Sequence, residues 1–158
     1  MASHWHVHPL RVRYQETDRM AVVYHINYMN WFEIGRSEFI RHAGVAYKDI
    51  EARGLLLPVT ELQASFGKPA RYDDLVVVCT RIGELSAVRL SFESQIRRVT
   101  DDERWPATAA DESGLPGEVL VRGGTKHVWL NREWRPVRLN KADPELFALL
   151  EKLHPDHA

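Results

Sequence analysis

A chain of 158 residues, 44% apolar and 27% charged, is long enough to bury one core and has the composition of an ordinary soluble globular protein. Its formal net charge of −1, with no Lys/Arg block, argues against general electrostatic binding to nucleic acid or membrane, although a local cluster of arginines still suits a negative ligand group. The single cysteine, Cys79, excludes a disulfide within the chain, and no apolar run approaches membrane-spanning length, so the expectation is one domain over residues 1–158 in the cytoplasm.

The opening "MASHWHVHPL" lacks a charged region followed by an apolar stretch, so it does not read as a leader. From His6 to Tyr14 the residues alternate loosely, as in a strand that delivers the chain to Glu16–Asp18. His4, His6 and His8 share one face of such a strand. That spacing suits a metal, but no acidic partner accompanies it, and plain exposure or adventitious affinity is expected.

Asn27 is placed to cap a helix. Tyr28, Trp31, Phe32, Gly35, Phe39 and His42 follow at three- and four-residue steps on one helical face. Arg41 and His42 suit the last turn, and Gly44 suits a left-handed cap. Gly35 costs helix propensity in mid-helix, which predicts a close approach to a sheet.

After a short polar connection, "GLLLPVTELQASF" reads as a strand with an irregularity at Pro58. "GKPARYDD" is a turn. "LVVVCTRI" and "AVRLSFESQIRRV", separated by "GELS", predict a hairpin. The polar stretch Thr100–Gly117 reads as an exposed, mobile loop. "EVLVRGGTKHVWLN" resumes strand character, and "NREWRPVRLN" reads as a turn with a short extension. "DPELFALLEKL" closes the chain as a helix capped by Asp143, with Pro144 in its first position. One long helix and several strands mostly linked by hairpins make an α+β layout, without βαβ alternation or a Gly-rich phosphate loop.

Asp18 lies in the strand-to-helix connection, where functional side chains gather and where Asp is also a common turn former. The helix start nearby carries unpartnered N–H groups and the positive end of the dipole, and could stabilise a carbonyl oxygen gaining charge. A carboxylate beside such a site suits hydrolysis of an activated acyl group, by deprotonating water or by direct attack. His25 fits equally as an acid/base or oxyanion donor and as a residue lining the junction. Tyr24 and Tyr28 suit an acyl pocket, and Tyr28 suits the core as well.

Cys79, inside "LVVVCT", reads as buried and structural. Asp73 and Asp74 read as turn residues, since neighbours in a strand face opposite sides. Glu61 is a lone acid in an apolar strand. Arg97 and Arg98 end a strand, where either phosphate contact or solvation fits.

The stretch "YQETDRMAVVYHINYMNWFEIGRSEFIR" resembles the signature of the 4-hydroxybenzoyl-CoA thioesterase family of the hotdog fold, nearest the branch of small bacterial acyl-CoA thioesterases that includes the Tol-Pal-associated ones. "LPVTELQASFGKPARYDDLVVV" and "GGTKHVWLNREWRPVRLN" resemble later segments of the family, so the likeness spans nearly the whole chain and is thinnest over Thr100–Gly117. It implies a long helix wrapped by an antiparallel sheet and subunits that pair into a larger continuous sheet. It also implies a homo-oligomer, dimer or dimer-of-dimers homotetramer, with sites at subunit interfaces. The implied activity is hydrolysis of acyl-CoA thioesters without metal or cofactor, with acyl carrier protein as the other carrier left open. The family's catalytic Asp falls on Asp18, and the helix end that polarises the carbonyl falls near Tyr24–His25. His25 and Tyr28 belong to the motif.

Two positions depart from the family pattern: Ala21 stands where Gly is usual, and Ile26 replaces a small residue. The basic cluster that some relatives use for CoA phosphates has only Arg89 near it. The expectation is an acyl-CoA thioesterase with Asp18 as nucleophile or general base. A non-catalytic hotdog module that binds acyl groups or another protein is the alternative. A dehydratase would need a His and an acid in a different motif, which is not seen.

Overall fold

The computed structural model describes residues 4–156; residues 1–3 of the stretch read as leaderless, and the last two of the domain read over 1–158, lie outside it. The elements run β1 (Trp5–Arg11), α1 (Ile26–His42), α2 (Tyr47–Ala52), β2 (Val59–Phe66), β3 (Leu75–Leu85), β4 (Arg89–Val99), β5 (Thr108–Ala109), β6 (Glu118–Val128), α3 (Leu139–Ala142) and α4 (Pro144–Leu153). Six strands form one antiparallel sheet in the order β2-β6-β4-β3-β1-β5, with α1 laid across it against β3. This is the α+β hotdog layout.

The helix lies where its apolar stripe dictates. Tyr28, Trp31, Phe32, Gly35 and Phe39 are all buried, whereas His42 is exposed at the end of the stripe. A Cβ at Gly35 would stand 2.5 Å from Val78 Cγ1 and 2.6 Å from Thr80 Oγ1, so only glycine lets the two backbones approach this closely. Gly44 takes φ 113° just past the helix end, as its cap role requires. At the other terminus, Asp143 Oδ1 accepts the Leu146 N–H at 3.1 Å and Pro144 opens α4.

β3 is buried on both faces, which explains the unbroken apolar run "LVVVCT". Val76 and Val78 meet Tyr28, Trp31 and Phe32 beneath α1; Val77 and Cys79 point the other way, against Trp5, Val7, Ala109 and Leu115. Ala109 and Leu115 of that layer come from the polar stretch after β4. It contributes β5, which pairs with Trp5 and His6 of β1, and a one-turn 3₁₀ helix over Glu112–Gly114. Arg97 turns inward to hold this stretch: its guanidinium donates to Pro116 O (2.7 Å), Gly117 O (3.1 Å) and Gln95 Oε1 (2.6 Å).

Three expectations need correction. Only β3 and β4 form a hairpin; β6 returns between β2 and β4, and β1 inserts between β3 and β5, because strand order follows long-range pairing that local pattern does not encode. The supposed polar connection after α1 contains α2, whose Ile50 is fully buried. Arg97 is buried rather than a solvated strand end, with Nε and Nη2 bonded to the loop and Nη1 to Gln95 of β4.

β2 is the open edge of the sheet. Every residue in it but Ala64 is exposed, including Val59, Leu62 and Phe66, each close to half exposed. No helix among the described residues is long and apolar enough to cross a membrane.

Candidate active site

β1 ends at Arg11, and a 3₁₀ turn over Tyr14–Glu16 swings the chain towards the helix. The loop that follows is narrow and closed. Thr17 and Val23 form an isolated antiparallel bridge, the Asp18 N–H donates to Val22 O (2.9 Å), and the Ala21 N–H donates to Asp18 O (3.0 Å). The Met20 N–H donates to Asp18 Oδ1 at 2.8 Å, the local bond that makes Asp a turn former. Asp18 Oδ2 has no hydrogen-bond donor among the described residues, and the side chain is only partly buried. Ala21 holds φ 63°, so the loop keeps a left-handed residue even without the family's usual Gly.

The helix begins one residue before the expected cap. His25 already has helical dihedrals (φ −56°, ψ −28°) and makes no side-chain cap bond. Asn27 therefore sits inside the first turn, a correction to its reading as N-cap. Its Nδ2 donates to Glu16 O at 2.9 Å and its Oδ1 accepts from Asn30 Nδ2 at 3.2 Å, so the amide caps none of the helix's own N–H groups. The Asn27 and Tyr28 N–H groups donate to Tyr24 O (2.8 Å) and His25 O (3.3 Å). The N–H groups of His25 and Ile26 have no acceptor among the described residues and stand at the positive end of a 17-residue helix. Ile26 is about half exposed beside them.

Aromatic side chains wall this junction. The Tyr24 ring lies 4.8 Å from His25, and Phe66, from the end of β2, lies 6.0 Å from His25 and 5.8 Å from Tyr28. Tyr24 and His25 are exposed, whereas Tyr28 is buried and its hydroxyl accepts the Ala70 N–H at 3.0 Å. Burial raises the Tyr28 phenol pKa, the Ala70 N–H offsets part of that, and weaker charge effects come from Arg98, Asp74 and Asp18. The fold thus brings Tyr24, His25 and Tyr28 together at one helix start and carries Asp18 on the closed loop that leads into it. Among the described residues no hydrogen bond links the Asp18 side chain to His25.

The remaining flagged residues lie elsewhere. Cys79 is buried and desolvation pushes its thiol up to about 12, which leaves no thiolate to act as nucleophile. Asp73 (φ 67°) and Asp74 shape the turn before β3, with Asp74 Oδ2 accepting from Arg71 N and Arg98 Nη1. Glu61 pairs with Lys126 on the exposed edge, and Arg89 opens β4 on the surface. His6 is buried with its ring 4.8 Å from His42; no group of three or more His, Cys, Asp or Glu among the described residues is placed to hold a metal.

Sequence reasoning missed Glu16, Phe66 and His127. Glu16 is buried and accepts the Trp31 indole N–H at 2.7 Å. The signal was present: an indole on a buried helix face needs an acceptor, and Glu16 precedes that helix. Phe66 reaches the junction only through the sheet. His127 is buried beside a cavity of about 150 Å³ lined by Arg36, Ser37, Tyr47 and Leu57.

The chain is similar to known thioesterases. The family model "Thioesterase superfamily" matches residues 20–104, a span that opens just after Asp18. Putative acyl-CoA thioesterase YneP of Bacillus subtilis is 32% identical over 144 residues, 90% of this chain and 93% of that protein. The chloroplastic acyl-acyl carrier protein thioesterase ATL3 of Arabidopsis thaliana is 31% identical over 137 residues, 87% of this chain and 64% of that protein. Among solved structures, the DHNA-CoA thioesterase of Staphylococcus aureus superposes with a TM-score of 0.79 at 29% identity, covering 94% of this chain and 90% of that one. The chain belongs to the thioesterase superfamily.

Proposed function

We propose that this protein hydrolyses acyl-CoA thioesters, with Asp18 as nucleophile or general base and the start of α1 as the oxyanion site. The observation that carries the reading is a carboxylate with one unspent oxygen on the closed loop that leads directly into a helix N-terminus with two unspent backbone N–H groups. The thioester carbonyl oxygen would face the His25 and Ile26 N–H groups, which bond more strongly as it gains charge. Asp18 either adds to the carbonyl carbon, forming an anhydride that water then opens, or takes a proton from water as it attacks. In both routes the C–S bond breaks, the thiol leaves and free acid remains. The His25 side chain lies at the mouth of the junction, where it supplies a further donor, and Tyr24 and Tyr28 line the acyl group. The relatives' names support the substrate class, one naming CoA and another acyl carrier protein as carrier.

The working unit in this reading is a homo-oligomer, a dimer or a dimer of dimers. An edge strand with exposed Val59, Leu62 and Phe66 is an aggregation hazard unless a second copy pairs with it, and pairing there would extend the sheet across both subunits. A reducing compartment such as the cytoplasm suits the single buried thiol.

Thiol release from short, long and aromatic acyl-CoAs, for wild type and Asp18→Asn side by side, tests the proposal. The exchange keeps size and removes the ionised carboxylate. Turnover by the wild type and a loss of orders of magnitude in the variant is the expected result. Inert wild type on every substrate, or an equally active variant, would favour the non-catalytic acyl-binding module.

A further inference from the structure

We infer that Glu16 is the positioning residue that sets the Asp18 loop against the start of α1, an inference that rests on the thioesterase reading for its catalytic meaning. Four bonds converge on this residue from four places. Its Oε1 accepts the Arg13 N–H at 2.8 Å, from the chain leaving β1. Its Oε2 accepts the Trp31 Nε1–H at 2.7 Å, from the second turn of α1. Its backbone oxygen accepts both the Tyr24 N–H (2.9 Å) and the Asn27 Nδ2–H (2.9 Å), from the far end of the loop and the first helical turn. The loop that carries Asp18 therefore leaves from and returns to one residue, and the carboxylate of that residue is bonded into the helix whose N-terminus receives the substrate in the proposed reaction.

The side chain has the burial this work requires. Glu16 is 7% exposed in a stretch whose neighbours Tyr14 and Gln15 are open to solvent, and the cation paired with it, the Arg13 guanidinium at 3.5 Å, is itself mostly exposed. A buried carboxylate is retained where its bonds are met, and here each oxygen has its own donor, Arg13 N–H and Trp31 Nε1–H. Trp31 carries the constraint onward. Its ring stands edge-on to Tyr28 at 5.2 Å, and Tyr28 packs on Phe66, which also meets His25. Glu16 touches none of the reacting groups. Its effect passes through the backbone position of Asp18 and the pose of the helix end, so its loss should lower turnover rather than substrate affinity.

Glu16→Gln tests this, since an amide offers one acceptor where two donors converge and leaves either Arg13 N–H or Trp31 Nε1–H facing an NH₂ group. Trp31→Phe removes the indole donor and keeps an aromatic ring, and serves if the first variant folds poorly. At temperatures where circular dichroism shows the variants fully native, kcat should fall roughly 10–100-fold with KM within about threefold, the scale expected from a small misplacement. The double variant should lose little more than the worse single one, because both act through one bond. Amide signals of Asp18, Met20 and Ala21 in ¹⁵N spectra should move while those of β3 stay, a readout that needs no activity. Unmoved loop signals overturn the inference whatever the rate does, and a wild-type kcat with only a lowered melting temperature reduces Glu16 to an ordinary core bond. If wild type is inert on every thioester, the proposed function fails, and the loop signals alone decide whether Glu16 holds the loop.

Discussion

Two regions of this molecule each set a histidine and polar neighbours against the same helix, one beneath its middle and one at its exposed start, and they are built in opposite ways. At the end of β6, His127 is buried and both ring nitrogens are engaged: Nδ1–H donates to Leu57 O at 3.1 Å, so Nε2 accepts the Thr125 hydroxyl at 2.7 Å. Burial lowers its pKa from 6.5 to about 4. At the start of α1, His25 is exposed, Asp18 keeps a free oxygen, and two backbone N–H groups have no acceptor among the described residues. Bonded-out polar groups hold structure; groups with unspent bonds can meet a ligand. The junction contains both kinds two residues apart, with Glu16 fully bonded and Asp18 half free.

The largest expected effect separates those two. Asp18→Asn should cut kcat by roughly 10²–10⁴-fold, the range for a positioned base, and leave stability in urea nearly unchanged, because the amide still accepts the Met20 N–H. A large stability loss instead would class Asp18 with His127 as a structural group.

The buried histidines should show themselves through pH. His6 and His127 have folded pKa values of about 4 against 6.5 unfolded, chiefly through burial, with His42 and His8 adding repulsion at His6 and Glu38 opposing it. The unfolded chain therefore takes up protons first as pH falls. Their contribution is full above about pH 6.5, shrinks as pH drops, and is gone below about 4. Urea unfolding at pH 7 and pH 5 should show roughly 2 kcal/mol lost per histidine, and the His6→Gln/His127→Gln double variant should show a much flatter dependence.

Smaller effects probe the backbone. Gly35→Ala improves helix propensity yet drives a methyl into Val78 and Thr80, both fully buried β-branched side chains, and should cost about 1–3 kcal/mol in chemical denaturation. Ala21→Gly relieves a residue held at φ 63°, and its gain is partly cancelled by a freer unfolded chain. A net rise of about 0.5 kcal/mol is expected, with kcat unchanged if Ala21 only shapes the turn.

Much of the architecture was legible because period and burial are local. The stripe Tyr28–Trp31–Phe32–Gly35–Phe39 specified α1 and its close approach to the sheet, and Asp143–Pro144 specified the start of α4. The Asn27 cap failed because the helix starts one residue earlier, at Ile26, and the amide is bonded elsewhere: its Nδ2 donates to Glu16 O and its Oδ1 accepts from Asn30 Nδ2. α2 was hidden in a polar stretch with a single buried anchor, Ile50, and β5 is two residues long, too short for a periodic signal.

The amino-acid sequence by itself determined the helix and its buried face, most of the strands, the inert Cys79 and, through its motif, the thioesterase superfamily with Asp18, Tyr24, His25 and Tyr28 as candidates. Only the tertiary structure decided the strand order, the use of Arg97 to anchor the loop over β3, the arrival of Phe66 at the helix start, and which N–H groups and which Asp18 oxygen stay unspent. Each of those depends on a partner distant in sequence or on a competition among nearby acceptors. Local pattern records which groups can bond, and the folded chain alone assigns their partners.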